Sequence, residues 1–358
     1  MLDFSKELFE LDSENIFEVI KEFPQQVRQA LEIGEKSPNI PNADEIEEII
    51  ILGMGGSAIG GDLIRAYLAN LAGARHLRVS VNRNYDLPEY INNKVLIIGS
   101  SYSGNTEETL TAFETANNLT KNIYAICTGG KLEELAKDFA APIAYLPKGY
   151  QPRCALGFSF FVLLKVLQKS GIFGVEATSQ IDREIEETLK VLDERTAEYR
   201  ELFDGNDSLK LAAKFHNKVP VFYSACERLD SVNLRWRGQI QENAKQLAFG
   251  NVLPEMNHNE INSWEMPRHL QKEFVVVLMR DIEDHPRVKL RFEAFGEMLK
   301  ESGKEIVNLS GVGESLLSRM FDLIYFADWV SFYLALMNGK DPAAIPAITN
   351  LKDYLSDR

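Results

Sequence analysis

Two loops rich in glycine and serine, each between an apolar run and a stretch with helical spacing, constrain the fold most. The first reads GMGGSAIGGD over 53–62 and follows the apolar run at 49–52. The second reads SSYSGNTEET over 100–109 and follows the apolar run at 95–98. Apolar runs that alternate with helical stretches are typical of a parallel sheet with helices on both faces. Such a sheet binds ligands beyond the carboxyl ends of its strands, where helix N-termini favour anions.

The same alternation continues along the chain and predicts two α/β domains with helical flanks. We expect an N-terminal helical segment (1–44), a first α/β domain (45–152), a helical connection (153–205), a second α/β domain (206–338) and a C-terminal helix (339–358). Strands are predicted at 47–52, 77–81, 94–99, 122–126 and 142–146, and then at 219–224, 246–249, 274–278 and 306–309. The longer predicted helical stretches lie at 3–34, 57–70, 104–118, 155–170, 178–203, 228–244, 286–301 and 314–337.

Composition limits the classes of partner and the compartment. The formal net charge is −14, so the chain lacks the basic character of a nucleic-acid-binding protein. The apolar segment at 314–337 carries Arg319, Asp322 and Asp328, which favours a buried core helix over a membrane span. The three cysteines are widely spaced and the N-terminus shows no signal-peptide pattern, which favours a reducing cytoplasm.

The first loop also fits the dinucleotide-binding fingerprint loosely, with Gly53, Gly55 and Ala58 at its three positions. That fingerprint needs an acidic residue at the end of the next strand to hold a ribose hydroxyl, and 79–83 contains none. Arg83 keeps an NADP-dependent oxidoreductase open as an alternative, because an arginine accommodates a 2′-phosphate. A purely structural role, in which the glycines only permit a tight turn, also stays open.

The second loop concentrates hydroxyl groups, on Ser100, Ser101, Ser103 and Thr106. A helix N-cap needs one hydroxyl, so this surplus favours a ligand with several acceptor oxygens, such as a phosphate monoester. The loop resembles the phosphosugar-binding loop of the sugar isomerase (SIS) domain family. Together with the GMGGS loop and the segments at 151–157, 235–245 and 254–261, nearly the whole chain is similar to the bifunctional phosphoglucose/phosphomannose isomerases.

The resemblance implies an α/β protein of two SIS-type domains, each a parallel β-sheet flanked by helices on both faces. It implies an aldose–ketose isomerase of carbohydrate metabolism that interconverts glucose 6-phosphate and mannose 6-phosphate with fructose 6-phosphate. The reaction would pass through a cis-enediolate by proton transfer, with no cofactor. The substrate phosphate is expected at Gly56, Ser57, Ser101, Ser103 and Thr106.

The resemblance also assigns catalytic roles to Arg153, Glu242, His258 and Lys352. Glu242 would move the proton between C1 and C2, and Arg153 would stabilise negative charge on the intermediate, for which a guanidinium is suited. His258 would open the pyranose ring, since imidazole titrates near neutrality. Lys352, in the C-terminal helix that completes the active site, would serve ring opening or substrate anchoring. From the residues alone, each of these four side chains is more simply a solvated surface group.

Two other classes of function remain as alternatives. One is a non-catalytic sugar-phosphate-binding SIS regulator, although such proteins usually carry a DNA-binding segment and the first 45 residues here are acidic. The other is the NADP-dependent oxidoreductase. Glu255 and Glu260 lie near His258, but no second histidine follows at zinc spacing, so no metal site is predicted.

The surroundings of His258 predict a homodimer with shared active sites. The histidine lies in a polar stretch, 251–262, that offers little apolar material to hold it within its own subunit. Trp264 and Met266 follow, and aromatic and methionine side chains are favoured at interface cores. In similar isomerases the matching histidine is supplied by the neighbouring subunit, and symmetric dimers are the commonest soluble assembly.

Overall fold

The computed structural model describes the chain over 6–74, 76–202 and 205–356. The predicted helical stretch at 3–34 therefore begins outside the described residues, at 3–5, and the stretch at 178–203 ends outside them, at 203. All the candidate site residues lie within the described part of the chain.

The chain divides into two compact units that are each built around one sheet. The five-stranded unit consists of Glu22–Leu192 and a short return segment, Gly313–Arg319. The four-stranded unit consists of the chain up to Lys21, Asp193–Val312 and the chain from Met320 onward.

Both sheets are entirely parallel, as the alternating sequence pattern predicts. The first contains β1 (Glu48–Leu52), β2 (Arg78–Asn82), β3 (Val95–Ser101), β4 (Ile123–Cys127) and β5 (Ile143–Tyr145), in the order β2-β1-β3-β4-β5. The second contains β6 (Val219–Ala225), β7 (Phe249–Leu253), β8 (Phe274–Met279) and β9 (Glu305–Leu309), in the order β7-β6-β8-β9. In each sheet the chain order reverses beside the first strand, which creates a switch point between β1 and β3 and another between β6 and β8.

Helices separate the strands and flank the sheets. The early helices are α1 (Lys6–Phe9), α2 (Ile16–Lys21), α3 (Phe23–Lys36), α4 (Gly55–Asn70), α5 (Glu107–Ala116), α6 (Gly130–Asp138), α7 (Leu156–Lys169) and α8 (Val175–Tyr199). The later ones are α9 (Asp207–Phe215), α10 (Asp230–Asn243), α11 (Pro286–Glu301), α12 (Leu316–Met337) and α13 (Pro346–Ser356). The predicted α/β class with two sheets and flanking helices is confirmed.

Burial explains why the first sheet forms where the apolar runs are. Every residue of β1, β3 and β4 is buried, as expected for strands covered on both faces. Helix α5 buries the face that carries Ala112 and Phe113 in the same apolar cluster as these strands. A Cβ on Gly99 would lie 2.7 Å from a ring carbon of Phe113, so the glycine permits this close helix–strand approach.

One strand prediction is wrong. The run at 246–249 predicts a strand, whereas β7 begins at Phe249. Leu247 and Phe249, the apolar residues behind the prediction, are 63% and 50% exposed. The side-chain amide of Gln246 instead donates to the carbonyl oxygens of Phe215 and Lys218, at 2.8 Å each. The segment is therefore a loop fixed by an amide side chain, and it leads into an edge strand.

Helix α12 is the one described helix that is long and apolar enough to span a membrane by length and composition. Of the 18 most apolar consecutive residues of this helix, 89% are buried inside the chain. Asp322 and Asp328 are themselves buried there. The prediction of a buried core helix is confirmed.

The return segment completes the five-stranded unit through contacts with α8. The Glu187 carboxylate accepts hydrogen bonds from the backbone N–H groups of Glu314 and Ser315, the latter at 3.1 Å. Arg319, which is 1% exposed, donates to the carbonyl oxygens of Gly313 and Glu314. Residues far apart in sequence therefore share one local network.

Candidate functional site

The five-stranded unit brings the two glycine- and serine-rich loops together at the switch point between β1 and β3. The strands pair in parallel with Leu52 opposite Gly99, so both loops leave the same edge of the sheet. The backbone N–H of Tyr102 donates to the Ser57 Oγ at 3.1 Å, which joins the second loop to the first. The two sequence motifs thus form one surface.

The first loop ends in the N-terminus of α4. Gly55 has φ +49°, a left-handed conformation that glycine adopts without strain, and the extended residue Met54 precedes the helix without a side-chain cap. Ser57 lies in the first turn and is 8% exposed. The first turn of a 16-residue helix thus faces this edge of the sheet with its positive end, which favours an anion.

Gly56 allows a third segment to approach this helix start. A Cβ at Gly56 would lie 2.6 Å from the carbonyl oxygen of Pro152, closer than any side chain tolerates. Arg153 follows in the same short 3-10 helix, Pro152–Cys154, and is 2% exposed. The structure therefore places Arg153 beside the GMGGS loop, within the same unit.

In the second loop, the hydroxyl groups hold the backbone in a fixed turn. Ser101 Oγ and Thr106 Oγ1 are 2.9 Å apart and share a hydrogen bond, and Ser101 Oγ also accepts from the N–H of Gly104 at 3.1 Å. Ser103 Oγ accepts from the N–H of Asn105 at 3.2 Å. Ser101 is buried, Thr106 is half-buried and Ser103 is exposed.

Thr106 occupies the N-cap position of α5, yet its side chain forms no capping bond. An ordinary capped helix would use this hydroxyl to accept an N–H of the first turn. Here it contacts Ser101 instead, so the helix N-terminus retains donors for a ligand. This geometry favours the ligand-binding interpretation of the loop over the capping interpretation.

Neighbouring loops hold the second loop in place. Gly104 has φ +70°, and a Cβ there would lie 1.7 Å from the carbonyl oxygen of Gly129, so this contact requires glycine. The Tyr102 hydroxyl donates to the carbonyl oxygen of Pro147 at 2.7 Å and accepts from the N–H of Tyr150 at 2.9 Å. Burial raises the pKa of Tyr102, so its hydroxyl stays protonated and remains a donor. The loop is thereby preorganised.

Arg83, on which the NADP alternative depends, forms an ion pair with Asp62. Its two terminal nitrogens contact the two carboxylate oxygens of Asp62, one of them at 3.4 Å. Asp62 lies on α4 and is 8% exposed. The carboxylate neutralises the guanidinium, which weakens the case for a 2′-phosphate at this position.

In the four-stranded unit, Glu242 lies in the last turn of α10 and is half-buried. Its neighbour Asn243 is fully buried, and the Asn243 amide donates to the Ser331 hydroxyl of α12 at 3.0 Å. Lys245, with φ +52°, then donates through Nζ to the carbonyl oxygen of Asn243 at 3.1 Å. The helix end that carries Glu242 is therefore fixed on both sides.

A buried polar network holds the rest of α10 against α12. Arg235 and Gln239 both donate to one carboxylate oxygen of Asp328, at 3.0 and 2.6 Å. All three side chains are at most 5% exposed. Burial raises the pKa of Asp328, and Arg235 opposes that shift. Such a network fixes the rotation of α10 about its axis, and with it the direction of Glu242.

The chain around His258 is held more firmly than its polar composition predicts. Two short 3-10 helices, Glu255–His258 and Glu260–Glu265, follow β7. Met256 is fully buried in the apolar cluster of this unit, and Ile261 and Trp264 pack against the same cluster. The expectation that 251–262 lacks apolar material to hold it is wrong, because Met256 and Ile261 dock it on the apolar cluster, and Trp264 docks the residues that follow.

The aromatic and methionine side chains expected at a dimer interface differ in their exposure. Trp264, expected at an interface, packs in its own unit, with its ring centroid 5.8 Å from that of Phe274. Met266 remains 65% exposed. His258 itself is exposed, on the outer side of the docked segment.

Lys352 lies on α13 and is exposed. Three apolar side chains of the same helix, Ile348, Leu351 and Leu355, are 39%, 58% and 51% exposed. Their spacing of three and four residues places them on one face of the helix. Among the described residues of the whole chain, no group of three or more histidine, cysteine or acidic residues is arranged to hold a metal ion.

Sequence reasoning missed a buried glutamine that supports Arg153. Gln26, on α3, is 3% exposed; its amide nitrogen donates to the Cys154 carbonyl at 2.9 Å and its oxygen accepts from the Gly157 N–H at 2.8 Å. It thus spans the turn that follows Arg153. The available signal was a polar residue within the apolar stripe of an amphipathic helix.

Comparison with known proteins agrees with this architecture. Residues 204–355 match the family described as bacterial phospho-glucose isomerase C-terminal SIS domain. The bifunctional phosphoglucose/phosphomannose isomerase of Caldicellulosiruptor bescii is 39% identical over 344 residues, which cover 96% of this chain and 99% of that protein. The enzyme of the same name from Aquifex aeolicus is 36% identical over 86% of this chain and 90% of its own length.

A solved structure shows the same fold at low sequence identity. The C-terminal domain of glucosamine-fructose-6-phosphate aminotransferase from Francisella tularensis superposes with a TM-score of 0.71. The superposition covers 96% of this chain and all of that domain, at 13% identity. The similarity is one of fold.

Proposed function

Because the chain belongs to the bifunctional phosphoglucose/phosphomannose isomerase family, we propose that it interconverts glucose 6-phosphate and mannose 6-phosphate with fructose 6-phosphate. The observation that carries the proposal is the convergence of the GMGGS loop, the SYSGNTEET loop and Arg153 at one edge of the first sheet. These segments supply hydroxyls, helix N-termini and a guanidinium, which together suit a phosphorylated sugar.

The phosphate is assigned to the first turns of α4 and α5. Gly56 and Ser57 belong to the first, and Ser101, Ser103 and Thr106 lie before the second. Ser101 and Thr106 share one hydrogen bond, so one of the two hydroxyl protons stays available for a phosphate oxygen. The preformed turn means that little conformational entropy is lost on binding.

The isomerisation is assigned to Glu242, Arg153, His258 and Lys352. His258, assisted by Lys352, moves the proton of the C1 hydroxyl to the ring oxygen as the C1–O bond of the ring breaks, and C1 becomes the aldehyde carbon. Glu242 then removes the proton from C2 of the open aldose, which leaves an enediolate that Arg153 stabilises. A proton moves from O2 to O1 of the enediolate, and Glu242 returns its proton to C1, which gives the ketose. One carbon is oxidised as its neighbour is reduced, so the reaction consumes no external oxidant.

The proposed assembly is a homodimer with shared active sites, in the cytoplasm. It is supported by the exposed apolar face of α13, the helix that carries Lys352, and by exposed Met266, which follows the His258 segment in the sequence. Aromatic and methionine side chains are favoured at interface cores. The His258 segment itself is docked on the apolar cluster of its own unit and needs no second subunit to hold it.

The direct test is to incubate the protein with fructose 6-phosphate and to measure glucose 6-phosphate and mannose 6-phosphate separately. Formation of both aldoses without added nucleotide supports the proposal. Binding of fructose 6-phosphate without turnover indicates the regulator instead. Consumption of NADPH that depends on the sugar phosphate indicates the oxidoreductase. A matched sample of Glu242→Gln protein controls for contaminating isomerase.

A further inference from the structure

The Glu260 carboxylate lies at the centre of a hydrogen-bond network beneath the segment that carries His258. The Tyr223 hydroxyl donates to Glu260 Oε1, and the Asn251 side-chain amide donates to Glu260 Oε2 at 2.6 Å. The indole N–H of Trp264 donates in turn to the Tyr223 oxygen, at 3.0 Å. Both carboxylate oxygens are thus used within the unit, by donors from β6 and β7.

This network connects the segment to the rigid part of the sheet. Tyr223 is fully buried in the middle of β6, and its ring packs edge-on against Phe295 with centroids 5.1 Å apart. Burial and the Glu260 carboxylate both raise the pKa of Tyr223, so its hydroxyl stays protonated and donates. A donor fixed in this way constrains the carboxylate that accepts from it.

His258 lies between two held residues. Met256, two positions before it, is fully buried, and Glu260, two positions after it, carries the network. Asn259, between His258 and Glu260, accepts from the Glu260 N–H at 2.6 Å through its side chain. The exposed imidazole is therefore attached to backbone that is fixed on each side.

We propose that Glu260 is a positioning residue, which holds the backbone of His258 so that the imidazole meets the sugar ring in a single orientation. The proposal rests on the proposed function, since that function gives His258 its role in ring opening. It also gives Glu260 a role other than metal ligation, because both of its oxygens already accept hydrogen bonds.

The chemistry of the site makes Glu260→Gln an informative change. A glutamine has nearly the same shape but only one acceptor oxygen, so if that oxygen keeps the Asn251 bond, its NH2 group faces the Tyr223 hydroxyl, which must then accept instead of donate. Asn251 cannot simply turn its amide round, because its oxygen accepts from the Val252 N–H at 2.8 Å. The variant therefore loses the bond that Tyr223 donates to a charged oxygen, and at best a weaker, reversed bond replaces it, with little change in volume.

The experiment compares Glu260→Gln with the control Glu255→Gln. Glu255 is an exposed glutamate of the same segment, and its carboxylate accepts from Asn259 at 3.3 Å. The first measurement is the NMR signal of the His258 ring, assigned through His258→Ala. The second is kcat and KM with fructose 6-phosphate, and thermal melting monitors folding.

We expect Glu260→Gln to shift or broaden the His258 signal and to lower kcat by about 10- to 100-fold, as for a displaced catalytic group. KM should change less than kcat, and Glu255→Gln should resemble the wild type in both measurements. Tyr223→Phe removes the buried donor and should reproduce the Glu260→Gln result. It serves as the second variant if Glu260→Gln fails to fold.

Three outcomes separate this proposal from the proposed function. An unchanged His258 signal in folded Glu260→Gln or Tyr223→Phe protein overturns the positioning role, whatever the activity. An equal effect of Glu255→Gln also overturns it, since any change in the segment would then suffice. A shifted signal with wild-type kcat supports the positioning of His258 but contradicts its catalytic role, and thus the mechanism above.

Discussion

Glu242 is the single side chain on which the proposed chemistry depends most. Glu242→Gln keeps the shape of the side chain and removes its basicity. Loss of a general base typically costs about 10²- to 10⁴-fold in rate, so both isomerisations should fall by that factor in kcat while fructose 6-phosphate still binds. The exposed Glu265→Gln is the matched control. Activity of Glu242→Gln within a few-fold of the wild type would remove Glu242 from the role.

The hydroxyls of the second loop are expected to act in binding. Replacement of Ser101, Ser103 and Thr106 by alanine should raise KM for phosphorylated sugars, because each lost bond to a charged oxygen costs roughly 1.5–3 kcal/mol. Thr115→Ala is the control, since Thr115 is an exposed residue of α5 that donates to the Thr111 carbonyl at 3.0 Å. Unchanged Michaelis constants in the triple variant would contradict phosphate binding by this loop.

Asp284 provides a test of pH-dependent stability. It is 3% exposed, one of its oxygens lies buried without a hydrogen-bond partner in the described structure, and burial raises its pKa above the ordinary 3.8. The folded state then holds this proton more tightly than the unfolded state. Stability from this group is therefore highest below the unfolded pKa and falls as pH rises through the raised folded pKa.

Asp284→Asn should remove that loss of stability. At pH 7 we expect the variant to be more stable by on the order of 1 kcal/mol, because no buried charge forms. The gain should shrink toward zero near pH 3, below the unfolded pKa, where the wild-type carboxyl is protonated in both states. Melting temperatures of both proteins between pH 3 and pH 8 measure the difference, and a gain independent of pH would contradict the explanation.

At the scale of the elements, the sequence correctly predicted the strands that are buried on both faces, because their residues form continuous apolar runs. The runs that became β1, β3 and β4 are short and apolar, and their length favours a strand covered on both faces over a buried helix. It failed at Phe249, where an edge strand half-faces solvent and the apolar cue no longer distinguishes strand from loop. Helix α5 begins at Glu107 rather than at 104, because Gly104 adopts a left-handed conformation that a helix excludes.

The candidate site likewise has a part that the sequence could predict and a part that it could not. The loops at Ser57 and Ser101 could be predicted to meet, because adjacent parallel strands end at the same edge. The support that Gln26 and Glu260 give to neighbouring segments could not, because hydrogen bonds between distant residues leave no local pattern in a single sequence. Sequence motifs therefore locate donors and acceptors for a ligand but not the groups that orient them.

Helix α3 supports the turn after Arg153 through Gln26, and a substitution of Gln26 tests this support. Gln26→Leu should remove the bond to the Cys154 carbonyl and leave the Gly157 N–H unsatisfied, at a cost of about 1–3 kcal/mol for that buried N–H. We expect a lower melting temperature together with a lower kcat. Gln25→Leu, an exposed neighbour on the same helix, is the control. Equal effects of the two changes would show that Gln26 has no special role.

At the scale of the whole molecule, the shared-site dimer can be tested by complementation. Glu242→Gln and His258→Ala proteins, each inactive under the proposal, are mixed under conditions that exchange subunits. If sites are shared, one site of each mixed dimer receives both intact residues and activity returns. Subunit exchange is verified separately, for example by mass spectrometry. If the exchanged mixture stays inactive, His258 acts within its own chain and the shared-site dimer is wrong.

The return segment has a consequence for synthesis on the ribosome. The five-stranded unit is complete only with Gly313–Arg319, whose backbone N–H groups satisfy the Glu187 carboxylate. All of Asp193–Val312 must be translated first, so the nascent chain carries an unfinished N-terminal unit for most of its elongation. A gene fragment that stops at Leu192 would encode that unfinished state permanently. A shortened protein meant to isolate this unit should therefore keep the seven-residue segment and join it to α8 through a linker, rather than end at Leu192.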